Sequence, residues 1–326
     1  MEKIIVSFIT PTKERDFRII GLLESIKKQN YSQEKVEIII VDGGSIPEVL
    51  EVCEKYGAKI YFNEKIRAEG AGMGKDQGIW KANGKYIVIA ESDIELVGEN
   101  WINNMIEPLE KDESLFASVP RLYVYEKDNV VNRYLSYIGV DPFAIFRSIE
   151  GQLALGLVEK KDMGNYYKIM LNKEEPFCMG SNGFCFRRDL IKQVGDYVQD
   201  VEFIARIAKA NLLSFAIPKY AFVFHKNVKN FVEFFHKRIK WAKMYSKIYV
   251  YEKKYFVWIN KKSTFLLFVC KNLLFFPNIY VAIRMTLRYK DLCWLLHPLM
   301  LFLTTFINII FGLQSKHMLN EFFKRK

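Results

Sequence analysis

Short apolar runs alternating with helix-patterned segments constrain this chain most. Ile4–Ile9, Val36–Val41, Lys59–Phe62 and Tyr86–Ala90 are dense in large and β-branched side chains and read as strands, the longest of them buried on both faces. Between them lie Phe17–Gln29, whose Ile19, Ile20, Leu22, Leu23 and Ile26 share a face, then Pro47–Tyr56 and Lys75–Ala82. This order predicts an α/β fold with a parallel sheet and right-handed crossovers. In such sheets ligands bind past the carboxyl ends of the strands, so the loops there are where function is sought.

Beyond Asp93 the pattern loosens. Trp101–Leu109 and a segment from Asp189 read as helices, as does Asp200–Ala210, while Leu115–Val119, the run through Gly180–Arg187 and Leu213–Pro218 read as strands. Residues 121–176 are aromatic-rich with weak periodicity, and no internal repeat is present. The five cysteines are scattered without CxxC spacing, which argues against a zinc site or a disulfide framework and fits a reducing compartment. The opening residues enter a strand at once and lack the basic and apolar regions of a secretory signal.

The net charge of +11 hides an asymmetry. From Lys226 onward there are 19 Lys and Arg against 4 Asp and Glu, whereas residues 1–225 hold 29 against 33. The basic end is also the apolar end. Val228–Tyr249 is patterned as an amphipathic helix, with Phe231, Phe235, Ala242, Tyr245 and Tyr249 near one face and Lys237, Lys240, Lys243 and Lys247 toward the other. Leu292–Leu313 has no formal charge over 22 residues, long enough to span a bilayer. Thr264–Ile283 is similar but holds Lys271 and Pro277. The pair reads as a hairpin turning around Arg284–Asp291, with basic clusters at its outer ends (Lys261, Lys262; Lys316, Lys324, Arg325, Lys326) that put those ends in the cytoplasm. Arg284, Arg288 and Lys290 in the turn keep a second reading open, helices lying in the interface plane. A soluble helical bundle ranks third. An anionic membrane is the expected partner; nucleic acid is not, because the apolar runs are too long.

Four loops fall at one sheet edge: Thr10-Pro11-Thr12, Asp42-Gly43-Gly44-Ser45, the Gly70–Gly78 region and Glu91-Ser92-Asp93. A carboxylate after the second strand suits hydrogen bonding to a nucleotide's ribose or base. Glycines admit a phosphate close to the backbone. Two acids one residue apart suit a hard divalent cation that bridges a diphosphate. Each loop alone has a plainer reading: Asp-Gly-Gly is an ordinary turn, and the glycine-rich loop fits neither GxGxxG nor the Walker pattern.

Taken together, these segments resemble family 2 glycosyltransferases of the GT-A fold. Val6–Thr12 is similar to that family's first strand and Glu37–Ser45 to its second, Gly74-Lys75-Asp76-Gln77-Gly78 stands where the family has Ala-Arg-Asn-x-Gly, and Glu91-Ser92-Asp93 stands where it has its metal-binding DxD. Gly180–Arg188 and Gly195–Asp200 resemble its acceptor-side segments. The resemblance covers roughly residues 3–226 and implies a GT-A domain over 1–226; the charge and apolar patterning above place a basic amphipathic linker at 227–255 and membrane-associated helices at 256–326.

The resemblance also implies roles. Thr10, Pro11, Thr12, Arg15, Asp42, Lys75, Asp76 and Ser92 would contact the donor nucleotide, with Lys75 and Arg67 able to neutralise phosphate charge. Asp93, Glu91 and His225 would hold Mn2+ or Mg2+. Ser181, Asn182 and Gly183 would line the acceptor side, and Asp200 would be the catalytic base. Two residues depart from the pattern: Glu91 replaces the first Asp of DxD, leaving Asp93 the surer ligand, and Gln199 replaces the acid before Asp200. Plainer roles exist for Asp200 as a helix cap, for His225 as a structural histidine and for Lys75 as a solvated lysine.

The expected activity is inverting transfer of a sugar from a nucleotide-sugar, UDP-linked rather than GDP-linked, to a membrane-borne acceptor. A hydroxyl of a lipid-linked saccharide is preferred to a polyprenyl phosphate, because the phosphate needs little help from a base. Lys237-Arg238-Ile239-Lys240-Trp241 only faintly resembles the QxxRW motif of processive synthases. A dinucleotide oxidoreductase is disfavoured, since Thr-Pro-Thr stands where its glycine loop belongs. A membrane-tethered nucleotide-binding scaffold without catalysis is the alternative from another class.

Overall fold

Strand β1 (Val6–Glu14) runs parallel to β2 (Val36–Ser45), from which it is separated in sequence by helix α1 (Ile19–Lys27). The computed structural model that defines this arrangement describes residues 3–64, 72–197, 199–248 and 262–314. The chain continues through α2 (Pro47–Lys55), β3 (Lys59–Phe62), α3 (Gly72–Lys81), β4 (Tyr86–Ile89), β5 (Ile94–Val97), α4 (Trp101–Lys111), β6 (Leu115–Ser118) and β7 (Arg121–Leu122). Two helices follow, α5 (Val130–Ile138) and α6 (Ile149–Leu155). Then come β8 (Lys161–Asp162), β9 (Tyr166–Met170), β10 (Phe184–Arg187), α7 (Leu190–Val194), α8 (Asp200–Lys209), β11 (Ser214–Pro218) and β12 (Phe222–His225). Four helices close the described chain: α9 (Phe231–Ile248), α10 (Lys262–Leu274), α11 (Phe276–Tyr289) and α12 (His297–Gln314). The chain divides into two compact units, Met1–Tyr123 with Leu157–Lys226, and Val124–Gly156 with Asn227–Lys326.

The first unit is built on a nine-stranded sheet of order β3-β2-β1-β4-β10-β6-β11-β9-β8. Its parallel half, β3-β2-β1-β4, is the one the apolar runs predict: Phe8, Ile9, Ile39, Ile40, Ile87 and Ile89 are fully buried. The rest is mixed, because β10 pairs antiparallel with both β4 and β6. It enters through the loop at 180–183, so no helical crossover obliges it to run parallel. A second sheet of order β5-β12-β7 is absent from the sequence reading, its strands being only two to four residues long.

Helix α3 lies unusually close to β1 and β2. A Cβ added to Gly78 would stand 2.4 Å from Ile9 Cγ2, and one added to Gly74 would stand 3.3 Å from Pro11 Cβ. Four residues apart, the two glycines share a face. They let the helix seat on the sheet. The helix also starts at Gly72, ahead of the predicted Lys75. Arg67 and the start of the glycine-rich loop lie outside the described residues.

The second unit explains why residues 121–176 read poorly. Its α5 and α6 are nine and seven residues long, separated by a 3-10 turn at Pro142–Phe146, too short for a helical period to emerge. Both are capped in full: the Asn129 and Ser148 side chains accept backbone N–H groups, and Gly139 and Gly156 take left-handed conformations at the C-termini. They share a core with the C-terminal helices, in which Tyr134, Leu135 and Ile138 cluster with Met285, Trp294, Met300 and Leu301. Arg133 forks onto Asp291 through Nη2 (2.9 Å) and Nε (3.1 Å).

The predicted hairpin is altered. Its first arm is broken at Phe275, where φ is +65°, and α10 and α11 meet at 82°. Pro277 opens the first turn of α11, where its missing N–H costs nothing. Helix α11 carries Arg284 and Arg288 and runs to Tyr289, which confines the turn to Lys290 and Asp291. Leu292–Gln314 is long and apolar enough to cross a membrane. Tyr249 and the predicted basic residues Lys261, Lys316, Lys324, Arg325 and Lys326 lie outside the described residues.

Candidate functional site

The turn after β4 holds the predicted acids, and the strands around it decide what they meet. Strand β12 runs antiparallel to β5 with His225 opposite Ile94, and Lys226 N–H donates to the Asp93 carbonyl (2.9 Å). This register brings His225 Nε2 to 3.2 Å from Asp93 Oδ1. From the other side Arg18 Nη1 donates to Asp93 Oδ2 (3.0 Å). Arg18 is in turn oriented by Asp16, donating through Nε (2.7 Å) and Nη2 (3.0 Å), and the same Asp16 accepts from Ser92 Oγ (2.5 Å). Asp16 and Arg18 were missed in the sequence. They sit in a charged stretch, Lys13–Arg18, that reads as solvated loop; the available signal was their position between the carboxyl end of β1 and the start of α1.

Glu91 goes elsewhere. Its Oε1 lies 2.5 Å from Lys75 Nζ, which also donates to Asp200 Oδ1 (2.8 Å). The Lys75 side chain is only 4% exposed. Burial works against its charge, but the Asp200 and Glu91 carboxylates outweigh it and hold its pKa above that of an ordinary lysine. Burial raises the Glu91 pKa, Lys75 opposes the rise and Asp200 adds to it. The Tyr197 hydroxyl lies against both Asp200 Oδ1 (2.8 Å) and the Gly180 carbonyl, while Tyr197 N–H donates to Asp76 Oδ1 (2.9 Å). Burial, then the neighbouring carboxylate, pushes the Tyr197 phenol well above its usual range. Tyr197 too escaped the sequence reading, where it was one aromatic among many.

The predicted donor residues divide. Thr10 and Thr12 are buried at the end of β1, and among the described residues their hydroxyls have no hydrogen-bond partner. Pro11 faces Gly74 of α3. Asp42 stands beside Thr12 in the β1–β2 register and closes its own loop by accepting from Ser45 N–H (2.8 Å). Arg15 is exposed. Ser92 binds Asp16, Asp76 holds the Tyr197 backbone, and Lys75 is enclosed by two carboxylates instead of facing outward.

On the predicted acceptor side, Ser181, Asn182 and Gly183 turn into β10, whose Phe184 pairs with Ile89, two residues before Glu91. Gly180, Asn182 and Gly183 all have positive φ (118°, 53° and 91°). A Cβ on Gly180 would sit 3.1 Å from the Asp200 carbonyl oxygen, so only glycine lets this loop lie flat on the first turn of α8. Asn182 Oδ1 is buried without a partner among the described residues.

The donor set fits a divalent cation in part. Asp93 and His225 offer a carboxylate oxygen and an imidazole nitrogen side by side, a pairing that suits Mn2+. Among the described residues no group of three or more His, Cys, Asp or Glu gathers into a metal site. The predicted trio is therefore reduced to two, with Glu91 turned onto Lys75. So few protein ligands suits an ion that shares its coordination with substrate phosphates.

The chain is similar to known proteins in sequence and in fold. The Glycosyl transferase family 2 profile matches residues 7–195, more than half the chain. Glycosyltransferase GlyG of Streptococcus pneumoniae is 29% identical over 141 residues, covering 42% of this chain and 45% of that protein. The Methanococcus voltae dolichyl N-acetyl-alpha-D-glucosaminyl phosphate 3-beta-D-2,3-diacetamido-2,3-dideoxy-beta-D-glucuronosyltransferase is 31% identical over 124 residues, 35% of this chain and 37% of that protein. The matched region thus spans less than half of each relative. Among solved structures, the mannosyltransferase PcManGT of Pyrobaculum calidifontis, in complex with GDP-Man and Mn2+, shares the fold with a TM-score of 0.54 at 14% identity, over 95% of this chain and 88% of that one. The chain belongs to glycosyl transferase family 2, with an α/β domain of the GT-A fold and a C-terminal helical region that includes one candidate span.

Proposed function

We propose that this enzyme inverts the anomeric centre as it transfers a sugar, UDP-linked before GDP-linked, to a hydroxyl of a lipid-linked saccharide. One observation carries the reading: the turn after β4 joins Asp93 and His225 on one side to Asp200 on the other, through Glu91 and Lys75. The donor's nucleoside lies along the ends of β1 and β2, near Thr10, Thr12 and Asp42. Asp93 and His225 hold Mn2+ or Mg2+, which when bound supplies positive charge to the departing nucleoside diphosphate. Asp200 takes the proton from the acceptor hydroxyl as it attacks. Its side chain is 34% exposed, open enough to meet an acceptor. A hydroxyl needs that base; an anionic polyprenyl phosphate does not.

The second unit supports a membrane-borne acceptor. Large apolar side chains stand exposed on its last helices, Phe276 at 79% and Leu287 at 74% among them, next to Lys271, Arg284, Arg288 and Lys290. Apolar area beside basic charge suits an anionic lipid surface. The Methanococcus voltae relative carries in its name a dolichyl phosphate-linked sugar, which agrees with a lipid-linked acceptor.

Thermal unfolding against a panel of nucleotide-sugars, with and without Mn2+, tests the donor side. A rise in Tm that needs both one nucleotide class and the ion is expected. No response to any UDP- or GDP-sugar would sink the reading.

A further inference from the structure

Lys75 and Glu91 stand where the sequence suggests donor and metal contacts, yet each is turned toward the other. We propose that Lys75, held by Glu91, is a positioning residue that fixes Asp200 by its Oδ1 and leaves Oδ2 as the oxygen that receives the acceptor proton. This rests on reading Asp200 as the base.

Asp200 Oδ1 is engaged twice, by Lys75 Nζ and by the Tyr197 hydroxyl, both at 2.8 Å. Among the described residues Oδ2 has no such partner, although the side chain is one-third exposed. The ammonium of Lys75 is enclosed, and reaching a diphosphate would strip it from two carboxylates at once. Helix α3 is fitted to this task along consecutive residues. Gly74 and Gly78 seat it on β1, Lys75 reaches Asp200, and Asp76 fixes the Tyr197 backbone. Glu91 Oε1, 2.5 Å from Lys75 Nζ, holds the lysine from the other side. The Gly180 loop packs on the Asp200 backbone and closes the assembly from the other side. A general base misplaced by about 1 Å loses on the order of a hundredfold in rate.

The test separates positioning from donor binding. Turnover is followed as nucleoside diphosphate released from the donor found by the thermal screen, and binding as calorimetric titration of UDP and GDP with Mn2+. Lys75→Met is expected to lower kcat about a hundredfold while leaving the nucleoside diphosphate Kd within about twofold, and Lys75→Arg to recover part of the loss. Glu91→Gln is expected to leave the Mn2+ Kd in the presence of UDP or GDP unchanged. A tenfold weaker diphosphate Kd in Lys75→Met with kcat preserved, or a tenfold weaker Mn2+ Kd in Glu91→Gln, overturns the proposal. Should Lys75→Met fail to fold, Lys75→Met combined with Glu91→Gln removes the unbalanced charge and carries the same measurement. Asp200→Asn is the reference: if it keeps turnover, the base reading itself fails. If it is inactive while Lys75→Met is normal, only the positioning role fails.

Discussion

Both units pair the charges they draw inside, Arg238 with Asp141 (3.1 Å) in the second, and they differ in the grouped apolar side chains they leave exposed. In the first, Glu37 is matched by Ser7, Asn83 and Lys59, Lys75 by Glu91 and Asp200, and Asp76 by the Tyr197 backbone. In the second, a core of Tyr134, Trp294, Met300 and Leu301 forms, while Leu267, Leu274, Phe276, Tyr280, Leu287 and Leu292 remain outside it. Burying a charge is costly unless it is paired, so matched charges in an interior mark a site whose geometry matters. Exposing large apolar side chains together is costly in water, so their grouping marks a surface meant for another phase. On the proposed function, the first unit carries the chemistry and the second the attachment.

The largest expected effect breaks the chemistry and leaves the attachment alone. Asp200→Asn keeps the shape and the Tyr197 contact but removes the proposed proton acceptor. Turnover is expected to fall by about 10²–10⁴-fold, with vesicle binding and Tm close to wild type. Residual activity within a few-fold of wild type would show that Asp200 is only the first residue of α8, where an acid favours the helix dipole.

Next comes the ion. Asp93→Ala removes the carboxylate shared by Arg18 and His225. The Mn2+ Kd measured with UDP or GDP is expected to weaken by about 10–100-fold, the range seen when a metal site loses a supporting group. Unchanged affinity would mean that the Asp93–His225 pair is structural and that the ion, if used, binds elsewhere.

The contrast between the units also explains what could be read from sequence. Apolar runs such as Ile38–Val41 and Tyr86–Ala90 announced the parallel half of the sheet, because a doubly buried strand has nothing but large apolar residues to offer. The same rule placed Asp42, Glu91 and Asp93 at strand ends. It could not say which way Glu91 turns, because its partner Lys75 is supplied by another element and its neighbour Asp200 lies over a hundred residues further on. His225 was named as a candidate ligand through the resemblance, but its meeting with Asp93 depends on the register of β5 and β12, strands too short to carry a period. Asp16, Arg18 and Tyr197 were hidden for the same reason: local sequence shows a charge or a ring, and only the fold shows what it touches. In the second unit Phe275 broke the predicted first arm, a backbone event that hydropathy does not register.

A third prediction breaks attachment and spares chemistry. Phe276→Asp combined with Leu287→Asp replaces two side chains that are 79% and 74% exposed and contribute little to the core. Burying each in lipid is worth about 1.5–3 kcal/mol, so partition onto phosphatidylcholine vesicles containing phosphatidylglycerol is expected to fall at least tenfold. Release of nucleoside diphosphate from the donor in solution should stay within about twofold. Equal binding of the double variant and the wild type, with and without phosphatidylglycerol, would remove the membrane from the account.

The smallest effect asks whether the matched charges of the first unit contribute stability, and it has a sign. Glu37 is buried in β2, where its own desolvation works against ionisation. Hydrogen bonds from Lys59, Ser7 and Asn83 more than offset this and leave its pKa below the ordinary glutamate value. A depressed folded-state pKa stabilises the fold above the unfolded-state value of about 4.3, and that stabilisation is lost as pH falls through the folded pKa. Glu37→Gln fills the same space without the charge, so it is expected to lower Tm by about 2–4 °C at pH 7. The gap between variant and wild type should then narrow as pH drops below 4.3 or so, where both carry a neutral group. A gap that stays constant from pH 7 to pH 3 would show that shape, not ionisation, is what Glu37 contributes, and that the matching of charge matters only around Asp200.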